Sequence, residues 1–244
     1  MIKKSPKLVV AMDFKDARSA YELADKLHGK PVYLKINWVL FPLIGFDGLI
    51  KLSRMFDERI FLDFKLHDIP SVVGKGISSL MKIVPFQIIN LHVAGGGEML
   101  RMASETRDKT YREGCACSKP PLLLGVTVLT SISKENLSEI GSKFNSVEEA
   151  VIKCGKLAKD NGIDGVVASV HEAPALRKSF GDDFVILTPG IRPSGSEAGD
   201  QARVATPSQA KELGSDFIVV GRPIIEAPDP SAVVEQILHE LTDD

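Results

Sequence analysis

Eight short apolar runs punctuate the chain, with amphipathic stretches between them. The runs are Leu8–Asp13, Val32–Asn37, Ile60–Leu66, Phe86–Val93, Leu122–Leu129, Gly165–Val170, Phe184–Thr188 and Phe217–Gly221. Most are near-continuous in Val, Ile and Leu, the pattern of strands buried on both faces in a parallel sheet. The stretches between them carry a different period. Within Ala17–Leu27, residues Ala20, Leu23, Ala24 and Leu27 recur at helical spacing. Ser146-Val147-Glu148-Glu149 has the form of a capping box and opens a helix expected to end near Gly162. Thr206-Pro207-Ser208-Gln209 is another start signal, with proline just inside the helix and Gly214 as its stop. Residues 229–241 read as a last amphipathic helix.

A β-then-α unit repeated eight times over 244 residues has the rhythm of a (β/α)₈ TIM barrel, which typically takes about 250 residues. The competing α/β architecture is a doubly wound open sheet, which normally places a Gly-rich turn after its first strand. Here that strand runs into Asp13-Phe14-Lys15-Asp16, without a glycine. No linker, domain-sized repeat or low-complexity tract divides the sequence, so the expectation is one barrel domain over residues 1–244.

Barrel active sites lie at the carboxyl ends of the strands. Those ends hold Asp13, Lys35, Asp63 with Lys65, His92, Thr130, Thr188 and Arg222, whereas the amino ends hold mostly ordinary residues. Individually several have a bland reading: Asp13 as a helix cap, His92 as a core histidine, Asp63 with Lys65 as a structural ion pair. The run Phe61-Leu62-Asp63-Phe64-Lys65-Leu66-His67-Asp68-Ile69-Pro70 is the most informative. Residues two apart on a strand share a face, so Asp63 and Lys65 should project together above Phe61, with Leu62 and Phe64 on the other side. Asp68 falls just beyond the strand. Charges on a core-type strand are costly unless paired, which suggests that these are used.

The other informative region follows the seventh strand. Thr188-Pro189-Gly190-Ile191-Arg192-Pro193 leads into the polar, Gly-rich stretch from Ser194 to Gln201, which has no hydrophobic period and suits a lid or binding loop. The eighth strand ends in Gly221-Arg222-Pro223. Glycine lets a phosphate approach backbone N–H groups, and arginine supplies a two-pronged charged donor. The loops after strands seven and eight are the usual phosphate site of such barrels. Together these features point to a small phosphorylated substrate, held by Arg222, Gln201 and glycine amides at one end and facing lysines and carboxylates at the other.

Composition narrows the partners. A net charge of −2 implies no general attraction to nucleic acid or to an anionic membrane. No apolar run approaches the roughly 20 residues of a membrane span. The run after Met1–Pro6 is too short for a signal peptide, and three cysteines, an odd number, suit a reducing cytoplasm. Cys115-Ala116-Cys117 lacks a second pair at metal-finger spacing. No Walker or dinucleotide motif and no clear metal constellation is present. Arg107–Pro121 reads as a variable connection without an assigned role.

Taken in order, Asp63-Phe64-Lys65-Leu66-His67-Asp68-Ile69-Pro70, Val126–Ser131, Thr188–Pro193, Gly195–Gln201 and Gly221-Arg222-Pro223 resemble the orotidine 5′-phosphate decarboxylase family, in its bacterial branch. The resemblance covers nearly the whole chain. It implies loss of carbon dioxide from orotidine 5′-monophosphate to give UMP, without metal or organic cofactor, in a cytoplasmic homodimer. By position it makes Lys65 the proton donor and sets Asp63 against the departing carboxylate. Lys35 joins their network and contacts the ribose, as does Asp13. Thr130 lies near the pyrimidine; Gln201, Gly221 and Arg222 hold the phosphate, with Arg192 on the lid side. Asp68 reaches into the neighbouring subunit's site. One departure is Ile36-Asn37-Trp38, where the family more often has Val-Gly and then a polar or acidic residue. Trp38, the only tryptophan, is given no catalytic role. Competing readings are a metal-dependent sugar-phosphate decarboxylase or epimerase, a non-catalytic nucleotide-binding barrel, and a Schiff-base aldolase. The carboxylates beside Lys65 argue against the last, which needs a depressed lysine pKa.

Overall fold

The computed structural model describes residues 5–132, 136, 139, 143–193 and 205–242. Eight parallel strands close into a barrel in sequence order: β1 Lys7–Ala11, β2 Tyr33–Asn37, β3 Ile60–Leu66, β4 Ile88–His92, β5 Leu122–Val126, β6 Gly165–Val167, β7 Val185–Thr188 and β8 Phe217–Val220, with β8 returning to β1. Helices alternate with them: α1 Ala17–Leu27, α2 Phe41–Met55, α3 Pro70–Ile83, α4 Gly96–Glu113, α5 Val147–Asp160, α6 Ala173–Phe180, α7 Pro207–Glu212, the short α8 Arg222–Ile225 and α9 Pro230–Thr242.

All eight expected strands are present, though several are shorter than their apolar runs. The β5–β6 ladder ends at Val126↔Val167, where the Val167 carbonyl accepts from both the amide and the hydroxyl of Thr127. Helix signals hold with one refinement. Thr206 and Gln209 form a full capping box on α7. At α5 the Ser146 side chain accepts from the Glu149 amide, but Glu149 reaches back to the Asn145 amide, one residue before the cap. Asp16, not Asp13, caps α1.

Strand alternation divides the core in two. Leu8, Val10, Leu34, Ile36, Leu62, Ile89 and Leu91 face outward into the layer shared with the helices. Val9, Ala11, Tyr33, Phe61, Ile88, Leu124, Leu187, Phe217 and Val219 fill the barrel itself. Tyr33 and Phe217 meet edge to face near the amino end, and the Tyr33 hydroxyl donates to Gln87 Oε1 at 2.9 Å. Among the described residues, this packed floor closes the barrel below the cavity at its carboxyl end.

The amino end is braced twice in the same way. Asp164, ahead of β6, accepts from the Leu123 amide of β5 and from Arg107 of α4. Asp216, ahead of β8, accepts from the Ile186 amide of β7 and from Arg177 of α6. Each carboxylate thus fastens the preceding strand to the helix before it, two βα units apart. Cys117 also belongs to the packing: its Sγ lies 3.6 Å from the Val84 carbonyl, and burial pushes its thiol up to about 12. Among the described residues no helix is long and apolar enough to cross a membrane.

Candidate active site

The mouth of the barrel is built from the inward rows, continued two residues past the packed floor. Above Tyr33, Phe61 and Ile88 stand Lys35, Asp63 and Asn90; above Leu124 stands Val126; above Leu187 and Val219 come Pro189 and Gly221. The floor is apolar and the next layer is chemically divided. These residues line a cavity of about 310 Å³. One wall is charged (Asp13, Lys35, Asp63 and Lys65, joined by the neutral Asn90), one is apolar (Val126, Val128, Leu129 and Val167), and a third carries Gly190, Arg192, Gly221 and Arg222.

The charged wall is a continuous network. Lys35 Nζ lies 3.1 Å from Asp63 Oδ2 and 3.3 Å from Asp13 Oδ1. Lys65 Nζ donates to Asp63 Oδ1 at 2.5 Å, and Asn90 Nδ2 donates to the same oxygen at 2.7 Å. Asn37 Nδ2 donates to Asp13 Oδ1 at 2.7 Å, while its Oδ1 accepts from the Val39 amide at the approach to α2. Asp63 and Lys35 are both only 8% exposed. Burial raises the Asp63 pKa, but the Lys35 and Lys65 charges, with hydrogen bonds from Lys65 and Asn90, outweigh it and hold the carboxyl below its usual range. Asp63 is therefore an anion between two ammonium groups.

Asp63 and Lys65 share the cavity, as alternation predicts, but not through regular strand geometry. Lys65 has φ +47°, in the left-handed region, which costs a non-glycine residue on the order of 1–3 kcal/mol. The β3–β4 register shifts there: Leu62 pairs with Ile89, and the next partners are Leu66 and Leu91. The Lys65 amide donates to the Asn90 side chain at 2.7 Å. Bulges of this kind re-aim a side chain beside an active site.

The other expected residues divide. Asp13, Thr130, Arg192, Gly221 and Arg222 line the cavity. Gly190 has φ +83°, a turn that favours glycine, where the chain leaves β7 toward Arg192. Gln201 lies outside the described residues. Asp68 is not brought into its own chain's cavity; it is exposed and accepts from the Ile69 amide at 2.6 Å. Thr188 points away from the site, and its Oγ1 pairs with Ser215 Oγ at 2.9 Å. His92 is not among the residues lining the cavity, and its ring centroid lies 5.4 Å from that of His67. Burial, His67 and Lys65 hold its imidazole below the usual histidine range, against an opposing effect of Asp63. Trp38 is 57% exposed, stacked on Phe64 with its Nε1 donating to the Phe64 carbonyl at 3.0 Å. Asn37 and Asn90 were missing from the sequence expectation. Asn90 had a signal: a polar residue amid Ile88-Ile89 and Leu91, in phase with the inward row.

A closed (β/α)₈ barrel with lysine–aspartate pairs at its carboxyl mouth, completed by glycines and arginines beyond β7 and β8, has the layout of a barrel enzyme's active site. The chain belongs to the orotidine 5′-phosphate decarboxylase / HUMPS family, whose model matches residues 6–237. It is 43% identical over 236 residues to orotidine 5′-phosphate decarboxylase of Idiomarina loihiensis, covering 97% of this chain and 98% of that protein. The namesake from Syntrophotalea carbinolica is 40% identical over 241 residues, with 99% and 97% covered. The crystal structure of the decarboxylase from Lactobacillus acidophilus superimposes with a TM-score of 0.85 at 37% identity, covering 98% of this chain and all of that one. Full-length similarity of this kind makes the chain a carboxy-lyase of that family.

Proposed function

We propose that the enzyme converts orotidine 5′-monophosphate to UMP and carbon dioxide without a metal ion, with Lys65 delivering the proton. The observation that carries the reading is the Asp63-centred network, which sets the Lys65 ammonium at the cavity surface beside a fixed carboxylate. In this reaction the bond between the ring carbon and the carboxylate breaks. The electron pair stays on that carbon, carbon dioxide leaves, and the carbon takes a proton from Lys65 Nζ. An ammonium already in place stabilises the developing negative charge before it gives up its proton. Asp63 holds the Lys65 ammonium by their ion pair and lies against the departing carboxylate, a like-charge contact relieved when carbon dioxide leaves.

The remaining walls suit the rest of the substrate. Lys35 and Asp13, both lining the cavity, are assigned to the ribose hydroxyls. Thr130 and the apolar wall suit the pyrimidine, and Gly221 and Arg222 the phosphate, with Arg192 beside them. Gln201 is assigned to the phosphate by its motif alone. Remote phosphate binding raises the rate when it drives closure over the reacting ring. Both carboxylates of the charged wall already pair with Lys35, so they serve ammonium groups and are poorly disposed to hold a divalent cation.

The reading extends to a homodimer in which Asp68 enters the partner's site. Asp68 is exposed next to Ile69, which is 62% exposed, and Val72; Trp38, Val39, Leu43 and Phe46 add apolar surface along the start of α2. A second copy covering this surface would bury it and bring Asp68 beside the other mouth. Orotidine 5′-monophosphate absorbance followed with purified protein and excess EDTA tests the activity, and sedimentation of the same sample tests the assembly. Turnover by a dimer is expected. Activity that disappears with the chelator rejects the metal-free reading, and a fully active monomer rejects the shared site.

A further inference from the structure

We infer that Asn90 is a positioning residue for this reaction, fixing Lys65 and Asp63 through the two ends of one side-chain amide. The inference rests on the role proposed for Lys65 and adds a neutral group to the charged ones.

Asn90 lies in the middle of β4, 1% exposed, on the inward row above Ile88. Its Nδ2 donates to Asp63 Oδ1 at 2.7 Å, and its Oδ1 accepts from the Lys65 amide at 2.7 Å. The strand geometry explains why a side chain makes the second bond. From Leu62 to Leu66, β3 advances four residues while β4 advances two, from Ile89 to Leu91. The extra length of β3 bulges opposite Asn90, where the ladder has lost its regular register. The Asn90 oxygen takes the place of a ladder carbonyl for Lys65, which sits at φ +47°. On its other side Asn90 keeps regular register with Leu124 of β5, so its own backbone is held by an ordinary ladder.

Lys65 is thus anchored at both ends: its amide on Asn90, its ammonium on Asp63. The same Asn90 amide fixes the Asp63 oxygen that receives the ammonium. An aliphatic residue, such as fills the row below, would leave the Lys65 amide without this acceptor and Asp63 without one donor. A charged residue would upset the balance of two lysines and two aspartates. A neutral side chain with both a donor and an acceptor meets both demands.

The test uses the full chain with Asn90→Leu, Asn90→Ser and Lys65→Ala made side by side. It measures kcat, KM, UMP affinity and the pH profile. Misplacing a reacting group by about an ångström costs on the order of 10²-fold in rate, and Asn90→Leu is expected to lose kcat on that scale while binding UMP as the parent does. The acid limb of its profile should also move to higher pH, because Asp63 loses a donor that favours its ionised form. A merely structural role would lower the active fraction and leave that limb in place. Parental kcat, or loss of kcat with the acid limb unmoved, overturns the inference. If Asn90→Leu does not fold, Asn90→Ser is judged by the same criteria. Full turnover by Lys65→Ala would instead reject the reading of Lys65. Dead Lys65→Ala beside parental Asn90 variants rejects this inference alone.

Discussion

Replacing Asp63 with asparagine removes the charge at the centre of the network and leaves its shape. The carboxylate accepts from Lys65 and Asn90 at 2.5 and 2.7 Å and forms an ion pair with Lys35 at 3.1 Å. An asparagine there must turn its NH₂ toward at least one of them. Two lysines then face Asp13 alone, so the group of four carries a net positive charge. Breaking a buried ion pair costs about 3–5 kcal/mol. The Lys65 side chain is 38% exposed and solvent screens part of its loss, so a stability decrease of about 2–3 kcal/mol is expected. The pH dependence gives the sharper signature. The folded Asp63 pKa is depressed, so the carboxylate's contribution is complete above its unfolded value of about 3.9 and is lost as pH falls through the folded one. Urea unfolding of parent and Asp63→Asn should therefore show a gap that is widest near neutrality and closes in acid. Equal stability at neutral pH, or a gap that persists unchanged into acid, refutes the electrostatic account of the network.

Three further outcomes follow from other parts of the molecule. Asp216→Ala strips the Ile186 amide and the Arg177 Nη2 of an acceptor, while Arg177 keeps its bonds to the Gly214 and Phe184 carbonyls; it should cost about 2–3 kcal/mol in urea, with kcat unchanged because the brace lies at the opposite end of the barrel. His92 is held below its ordinary pKa, so the unfolded chain takes up this proton first and stability falls as pH drops below about 6.5; His92→Gln should flatten that part of the curve, and an unaltered slope contradicts it. Arg222→Ala should raise KM and lower kcat together for the phosphorylated substrate; loss of neither removes Arg222 from the phosphate wall.

Much of the barrel was legible because its strands are buried on both faces and read as apolar runs, while amphipathic helices interrupt them. The clustering of chemistry at the carboxyl ends followed from that order: Lys35, Asp63 and Arg222 could be placed before any coordinates. What escaped depends on departures from regular period. Alternation put Asp63 and Lys65 on one face, yet nothing in Asp63-Phe64-Lys65 announces a bulge, since the left-handed residue is a lysine rather than a glycine. Asn90 looked like an incidental polar residue because its purpose exists only across the distorted ladder. Thr188 resembled a site residue by position, but its hydroxyl is taken by Ser215, a partner 27 residues away. Asp13 resembled a helix cap until Asp16 proved to hold that place.

The most direct test of the central claim is orotidine 5′-monophosphate turnover by Lys65→Ala beside the parent, with EDTA present and UMP affinity measured on both. The parent should decarboxylate the substrate, and the variant should lose turnover while still binding UMP through the phosphate and apolar walls. A variant that turns over near the parental rate would contradict the assignment of Lys65 as proton donor.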